Sequence, residues 1–207
     1  MLDGATSEEI ESVGRIVRTC QTLDLAAGET RNGSMPNVAL VVVEAGLVVV
    51  RAAAAGRRDI VVADAAEGGF VFVAPGHGDV HALTPARLLL VDAARRDQLL
   101  AIPAAAALIA EALEAALAQS HDVAGVLAAA SARARIERKL LLLARAYGRV
   151  VRDGVRLDFP LTHELLGDMT GTARETVTRV LDVLEREGFL GRDGRTYRLL
   201  IAPDELG

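Results

Sequence analysis

The segment LTHELLGDMTGTARETVTRVLDVLEREGFLGRDGRTYRLL, residues 161–200, decides how this chain is read. Its spacing predicts a short helix, a tight turn near Gly171, a second helix and a two-stranded hairpin. On an ideal helix advancing about 100° per residue, Val177, Val180, Leu181 and Leu184 share one face. Arg174, Glu175, Thr178, Arg179 and Asp182 fill an arc of about 140° on the other side. The apolar stripe suits a domain core and the polar arc suits the major groove of a duplex. Arginine can pair bidentately with guanine O6 and N7, and glutamate can accept from cytosine N4. The segment is therefore expected to be a winged helix-turn-helix that reads DNA.

Two local patterns offer plainer roles for the same residues. Thr172 and Glu175 fit a T-x-x-E capping box, in which Glu175 would cap the second helix. Glu175 and Arg179 stand four apart, as a solvated helical ion pair would. Gly188 has the place of a residue just past a helix C-terminus.

Composition limits the rest. With 207 residues the chain can hold one large or two modest domains, and with aromatics at 3% its core must be built from Ala, Val and Leu. The net charge of −5 does not favour nucleic acid overall, so any attraction to phosphate must be local. Residues 133–152 are the candidate, with seven basic side chains facing one acid, Glu137. Such a run serves equally well as a solvated helix face. Cys20 is the sole cysteine, which excludes an internal disulfide and an iron–sulfur cluster held by several thiolates. The opening MLDGATSEEIE is acidic and unlike a signal peptide. The apolar run 101–118 contains Pro103, Glu111 and Glu114, and each acid would cost roughly 2.5–3.5 kcal/mol at a bilayer centre. A cytoplasmic chain with no membrane partner is expected.

Toward the N-terminus, residues 7–23 predict a short helix. Between Val38 and Ala93 the runs VALVVV, LVVV, DIVVA, FVFV and RLLLVD alternate with turn residues, as in an antiparallel jelly roll. Residues 103–130 are Ala-rich and helical, with Leu108, Leu113 and Leu117 among small residues. Residues 131–147 predict a further helix, and VRDGVRLDF (151–159) a turn or hairpin. The fold class is α+β.

The C-terminal segment resembles the DNA-binding domain of the CRP/FNR family of bacterial transcription regulators. The shared residues are Leu161-Thr162, Gly167, Gly171, Arg174-Glu175-Thr176-Val177, Arg179, Leu181, Leu184-Glu185 and Gly188-Phe189-Leu190. The resemblance implies three parts: a cyclic-nucleotide-binding-like β-roll over 1–102, a dimerisation helix over 103–130 and a winged helix-turn-helix over 131–207. It implies that Arg174, Glu175 and Arg179 read base edges in inverted-repeat sites with half-sites resembling TGTGA. Thr162, His163, Thr172, Thr176 and Thr178 are expected to make the other DNA contacts. His163 stands where many relatives carry Arg, so its phosphate contact depends on pH. Asp182 stands where a basic residue is common, which weakens backbone attraction at that end. Double-stranded DNA, a second copy of the chain and RNA polymerase are the implied partners.

Relatives that bind cyclic AMP use a Gly-Glu pair for the ribose and an Arg-Ser or Arg-Thr pair for the phosphate. The corresponding segment here, GGFVFVAPGHGDVHAL (68–83), has neither, and residues 59–86 contain no Arg or Lys. A desolvated phosphate needs a cationic partner or many amide donors, so cyclic AMP control is not expected. No resident cofactor is expected; haem on His77 or His81, or another small effector, is the alternative. The spacing Gly69, Pro75, His81 also matches the second motif of cupins, a jelly-roll family with metal enzymes. No His precedes His77, so a metal there would be under-coordinated. No catalytic residue and no metal site are expected, and the chain is read as a binding protein rather than an enzyme.

Overall fold

The computed structural model describes residues 4–31, 37–52, 59–72, 78–194 and 196–202. These form two compact units, a β-rich one ending at His121 and a second made mainly of the residues from Asp122 onward.

The first unit opens with α1 (Ser7–Val17), started by a capping box between Thr6 and Glu9. Eight strands follow: β1 (Gln21–Leu25), β2 (Thr30–Arg31), β3 (Val38–Ala45), β4 (Leu47–Ala52), β5 (Ile60–Ala66), β6 (Phe70–Phe72), β7 (Asp79–Ala82) and β8 (Ala86–Asp92). They make two four-stranded sheets, ordered β1-β8-β3-β6 and β2-β7-β4-β5. The expected 7–23 helix is shorter than its pattern suggested. It stops at Arg18, and Gln21–Leu25 instead pairs antiparallel with β8, Leu23 opposite Leu88.

The apolar run in β3 has a physical cause, because its sheet is buried on both faces. Val41 and Val43 join Val48, Val50, Val71, Val80 and Leu88 in the core of the roll. Leu40 and Val42 point the other way, into a cluster with Leu89, Val91, Leu99, Ala105 and Ile109. That second cluster is closed by α2 (Ala93–Leu100), by residues of α1 and by the start of the long helix α3 (Pro103–Leu127). Pro103 opens α3, where a missing backbone N–H costs nothing. Farther along α3, Leu113 and Leu117 are 50% and 58% exposed, whereas Leu108 is half-buried on a different face.

The second unit contains α4 (Ala132–Tyr147), β9 (Arg149–Val151), β10 (Gly154–Leu157), α5 (His163–Thr170), α6 (Arg174–Arg186), β11 (Leu190–Asp193) and β12 (Thr196–Leu199). Ser131 caps α4 through its hydroxyl, which accepts from Ala134 N–H at 3.1 Å. The wing is larger than the expected two-stranded hairpin. Val155, Arg156 and Leu157 of β10 pair with Leu199, Arg198 and Tyr197 of β12, giving a four-stranded sheet ordered β11-β12-β10-β9. Its inner face supplies Val155, Leu157, Leu190, Tyr197 and Leu199, all buried. The three helices supply Ile136, Leu140, Leu165, Leu166, Val177, Leu181 and Leu184 to the same core. Among the described residues no single helix is long and apolar enough to cross a membrane.

Candidate nucleic-acid interface

Local chemistry sets the geometry of the two-helix reader. Thr162 is the N-cap of α5, and its hydroxyl accepts from Leu165 N–H at 3.1 Å. That helix ends on Gly171 at φ 58°, ψ 34°, a left-handed conformation that a side chain opposes. The N–H of Thr172 reaches back to the Gly167 carbonyl at 2.9 Å, closing the turn. Gly171 therefore stands where its backbone is needed.

The turn also places Thr172. Its side chain is 5% exposed and its hydroxyl donates to the Thr170 carbonyl at 3.2 Å. The T-x-x-E capping box is not formed: the N-cap of α6 is Ala173, with no side-chain hydrogen bond. Thr172, expected at the DNA surface, lies beneath it. Glu175 is thereby left exposed on the first turn.

The predicted faces of α6 are observed. Val177, Leu181 and Leu184 are fully buried, while Arg174, Glu175 and Arg179 are exposed together. Arg179 donates from Nη2 to the Thr176 hydroxyl at 3.2 Å, which steadies the guanidinium within its own helix. Thr176 and Thr178 are half-buried. The Thr178 hydroxyl donates to the Arg174 carbonyl at 3.0 Å and lies 2.8 Å from His163 Nδ1. One hydroxyl has a single proton, so Nδ1 of His163 donates to Thr178. Partial burial, then the nearby charges of Arg192 and Arg174, lower the His163 pKa, against a smaller opposing effect of Asp182. In the free protein the imidazole therefore gains its charge only below the usual histidine range. Thr162, His163, Arg174, Gly194 and Tyr197 together border an open concavity of about 410 Å³ between α5, the start of α6 and the wing.

Several residues of the basic run are engaged in other contacts. Arg133 grips Glu187 with both terminal nitrogens, at 3.0 and 2.6 Å, and holds Glu137 through Nε at 2.8 Å. These bonds raise the Arg133 pKa and lower that of Glu187. Arg149 donates to Asp158 at 2.7 Å and Arg156 shares the same carboxylate. Lys139 is 6% exposed. Arg133 and Arg149 thus place their charge on carboxylates of the same unit while staying exposed, and Lys139 is buried.

Sequence reasoning did not find the link between wing and reading helix. Arg192 on β11 meets Asp182 at 2.7 Å and Glu185 at 3.4 Å, both on α6. The available signal was a pair of acids three apart, followed by an arginine in the predicted wing. In the first unit, His81 Nδ1 lies 2.8 Å from the Thr30 hydroxyl. Burial, then the charge of Arg51, lower the His81 pKa. His77 lies outside the described residues.

Comparison with known proteins agrees with this geometry. Residues 134–206 match the Crp-like helix-turn-helix domain, and the second unit contains such a domain. The global nitrogen regulator of Synechocystis sp. is 33% identical over 108 residues, which cover 52% of this chain and 48% of that protein. The match therefore spans about half the length of that curated relative. A CooA mutant from Carboxydothermus hydrogenoformans superposes with a TM-score of 0.76 at 22% identity, covering 93% of this chain and 88% of that one. A CRP/FNR-family transcriptional regulator from Thermus thermophilus superposes with a TM-score of 0.66 at 24% identity, covering 90% and 96%. The chain has the fold of the CRP/FNR regulators.

Proposed function

We propose that this protein is a cytoplasmic, sequence-specific DNA-binding transcription regulator that engages inverted-repeat operators as a homodimer and is not controlled by cyclic AMP. One observation carries the reading: Arg174, Glu175 and Arg179 stand exposed together on α6, while Val177, Leu181 and Leu184 seat that helix on the core. The two arginines take guanines, and Glu175 takes a cytosine opposite one of them. Thr162, Thr176 and Thr178 flank this patch, and RNA polymerase is the further partner. This is a binding function rather than catalysis.

The dimer reading is supported by the exposed leucines of α3. Two reading helices related by a two-fold axis would address half-sites about 34 Å apart. The reading of the effector is supported by the sequence of the β-roll, which has no Arg or Lys over residues 59–86 to neutralise a cyclic phosphate.

The test is selection of binding sites from random DNA. The wild type should select an inverted repeat, and Arg179→Ala should lose about 1–3 kcal/mol on the best site with relaxed preference at one base pair per half-site. A selected motif identical for wild type and Arg179→Ala would overturn base reading by this helix.

A further inference from the structure

On the groove-facing arc of α6, Asp182 lies about 80° around the helix from Arg174, near the centre of the polar surface. A carboxylate there should repel the phosphates that the neighbouring arginines attract. Its side chain is 51% exposed and its partner is Arg192, at 2.7 Å. Glu185, 44% exposed, approaches the same guanidinium at 3.4 Å.

Arg192 belongs to the wing. It lies on β11 opposite Tyr197 of β12, so its side chain leaves the sheet on the face that packs against α6. Only 25% of that side chain is exposed. With Arg156, Tyr197 and Arg198 it lines a separate cleft of about 150 Å³ on the wing, and its charge reaches His163, whose pKa it helps to lower. A cation held at 2.7 Å by an exposed carboxylate of the groove-facing arc is in reach of a backbone phosphate. In the free protein, two carboxylates hold its charge.

We propose that Asp182 and Glu185 are an internal counter-anion for Arg192, which DNA phosphate displaces on binding, so that Asp182 sets the affinity and salt sensitivity of the reader. This rests on the DNA-binding reading above. In the free state the triad carries one net negative charge and fixes the wing to α6. In the bound state Arg192 turns to phosphate, and the cost of uncovering Asp182 is subtracted from the gain. The carboxylates therefore act on affinity and salt response, whereas base choice stays with Arg174, Glu175 and Arg179.

The experiment measures binding of a duplex selected by the wild-type protein, across salt concentrations, for three chains. The first is wild type, the second Asp182→Asn/Glu185→Gln, and the third adds Arg192→Gln to that pair. In the wild type the counterion that Arg192 releases from a phosphate is offset by a cation taken up at the uncovered carboxylates, so removing them leaves a release worth about 0.9 in the slope of log K against log salt uncompensated. The carboxylate variant should bind several-fold tighter at low salt, with a slope steeper by about that amount for each subunit engaged. Adding Arg192→Gln should return the slope to the wild-type value. An unchanged slope in the carboxylate variant overturns the proposal. So does a steepened slope that survives Arg192→Gln, because the gain would then be relief of repulsion alone. Failure of the wild type to select or bind any duplex would instead refute the underlying reading of the helix.

Discussion

The exposed leucines of α3 allow the proposed two-fold seam to be tested with a magnitude. Burying a leucine side chain fully is worth roughly 1.5–3 kcal/mol relative to leaving it in water. Leu113 and Leu117 are 50% and 58% exposed, so about half of that value is still available at each. A symmetric seam doubles the pair, and four half-exposed leucines then hold about 3–6 kcal/mol. Small residues at Ala110 and Ala106, one turn and two turns before Leu113, let the partner helix approach closely enough to collect it. Leu113→Ala with Leu117→Ala keeps a strong helix former at both sites and removes most of the apolar area. At about 1.4 kcal/mol per factor of ten, the dimer should weaken roughly 10²- to 10⁴-fold. Sedimentation equilibrium of wild type and double variant, at matched concentrations, reads this directly. A wild-type chain that is monomeric while holding its operator tightly would refute the seam, as would a double variant with an unchanged dissociation constant.

Three further outcomes follow from particular residues. Cyclic AMP or cyclic GMP at 100 times a micromolar Kd would add about 2.7 kcal/mol of stability. No such rise in melting temperature is expected, and a saturable shift would reverse the reading of residues 59–86. Gly154 has φ 132°, and a Cβ there would collide with the Leu199 carbonyl oxygen. Gly154→Ala should cost at least about 3 kcal/mol in denaturant unfolding, because both the backbone region and the β10–β12 ladder oppose it; a cost below about 1 kcal/mol, the least that such a backbone strain carries, would contradict this. For His163 the folded pKa lies below the usual 6.5, so its contribution to stability is complete above that value and is lost as pH falls through the lowered folded pKa. His163→Gln, which can still donate to Thr178, should flatten the decline in melting temperature between pH 7 and 5. Equal slopes for the two proteins would show that the imidazole is not desolvated.

The reading helix was legible because each of its signals is local. Apolar residues at 177, 181 and 184 repeat at helical spacing, and the glycine at 171 marks a turn that only left-handed backbone can make. The β-roll was legible as strands but not as a sheet order. In VALVVV every position is apolar, since both faces of β3 are buried, and the run therefore states nothing about which residues face the roll. Pairing of β1 with β8 joins residues more than sixty positions apart, beyond any local pattern. The capping box failed for a tertiary reason: the left-handed Gly171 turns Thr172 inward, where its hydroxyl finds the Thr170 carbonyl. The partner of Arg133 stands fifty-four residues away, just past the far end of α6, so the basic run offered no sign of its own neutralisation.

Those ion pairs explain how a chain of net charge −5 can still present a reader to DNA. At physiological salt, charges beyond about 8 Å are largely screened, so the field at the groove depends on the nearest side chains rather than on the total. Along α6 the nearest charges are not uniform. The C-terminal half is tied down, Asp182 and Glu185 by Arg192 of the wing and the following Glu187 by Arg133 of α4. Exposed ion pairs add little to stability, but a guanidinium gripping a carboxylate with two nitrogens fixes orientation. The Arg133 clamp therefore acts on the angle of the helix, while the Arg192 triad leaves one net negative charge beside its distal half. The N-terminal two turns keep Arg174, Glu175 and Arg179 exposed, next to the positive end of the helix dipole. A helix held at one end and charged at the other concentrates base contact in its first turns, which is where a groove-entering helix of this class meets base edges. A substitution at Glu187 should then disturb recognition by tilting the helix, although its carboxylate stands at the opposite end from Arg174, Glu175 and Arg179, the side chains proposed to read bases.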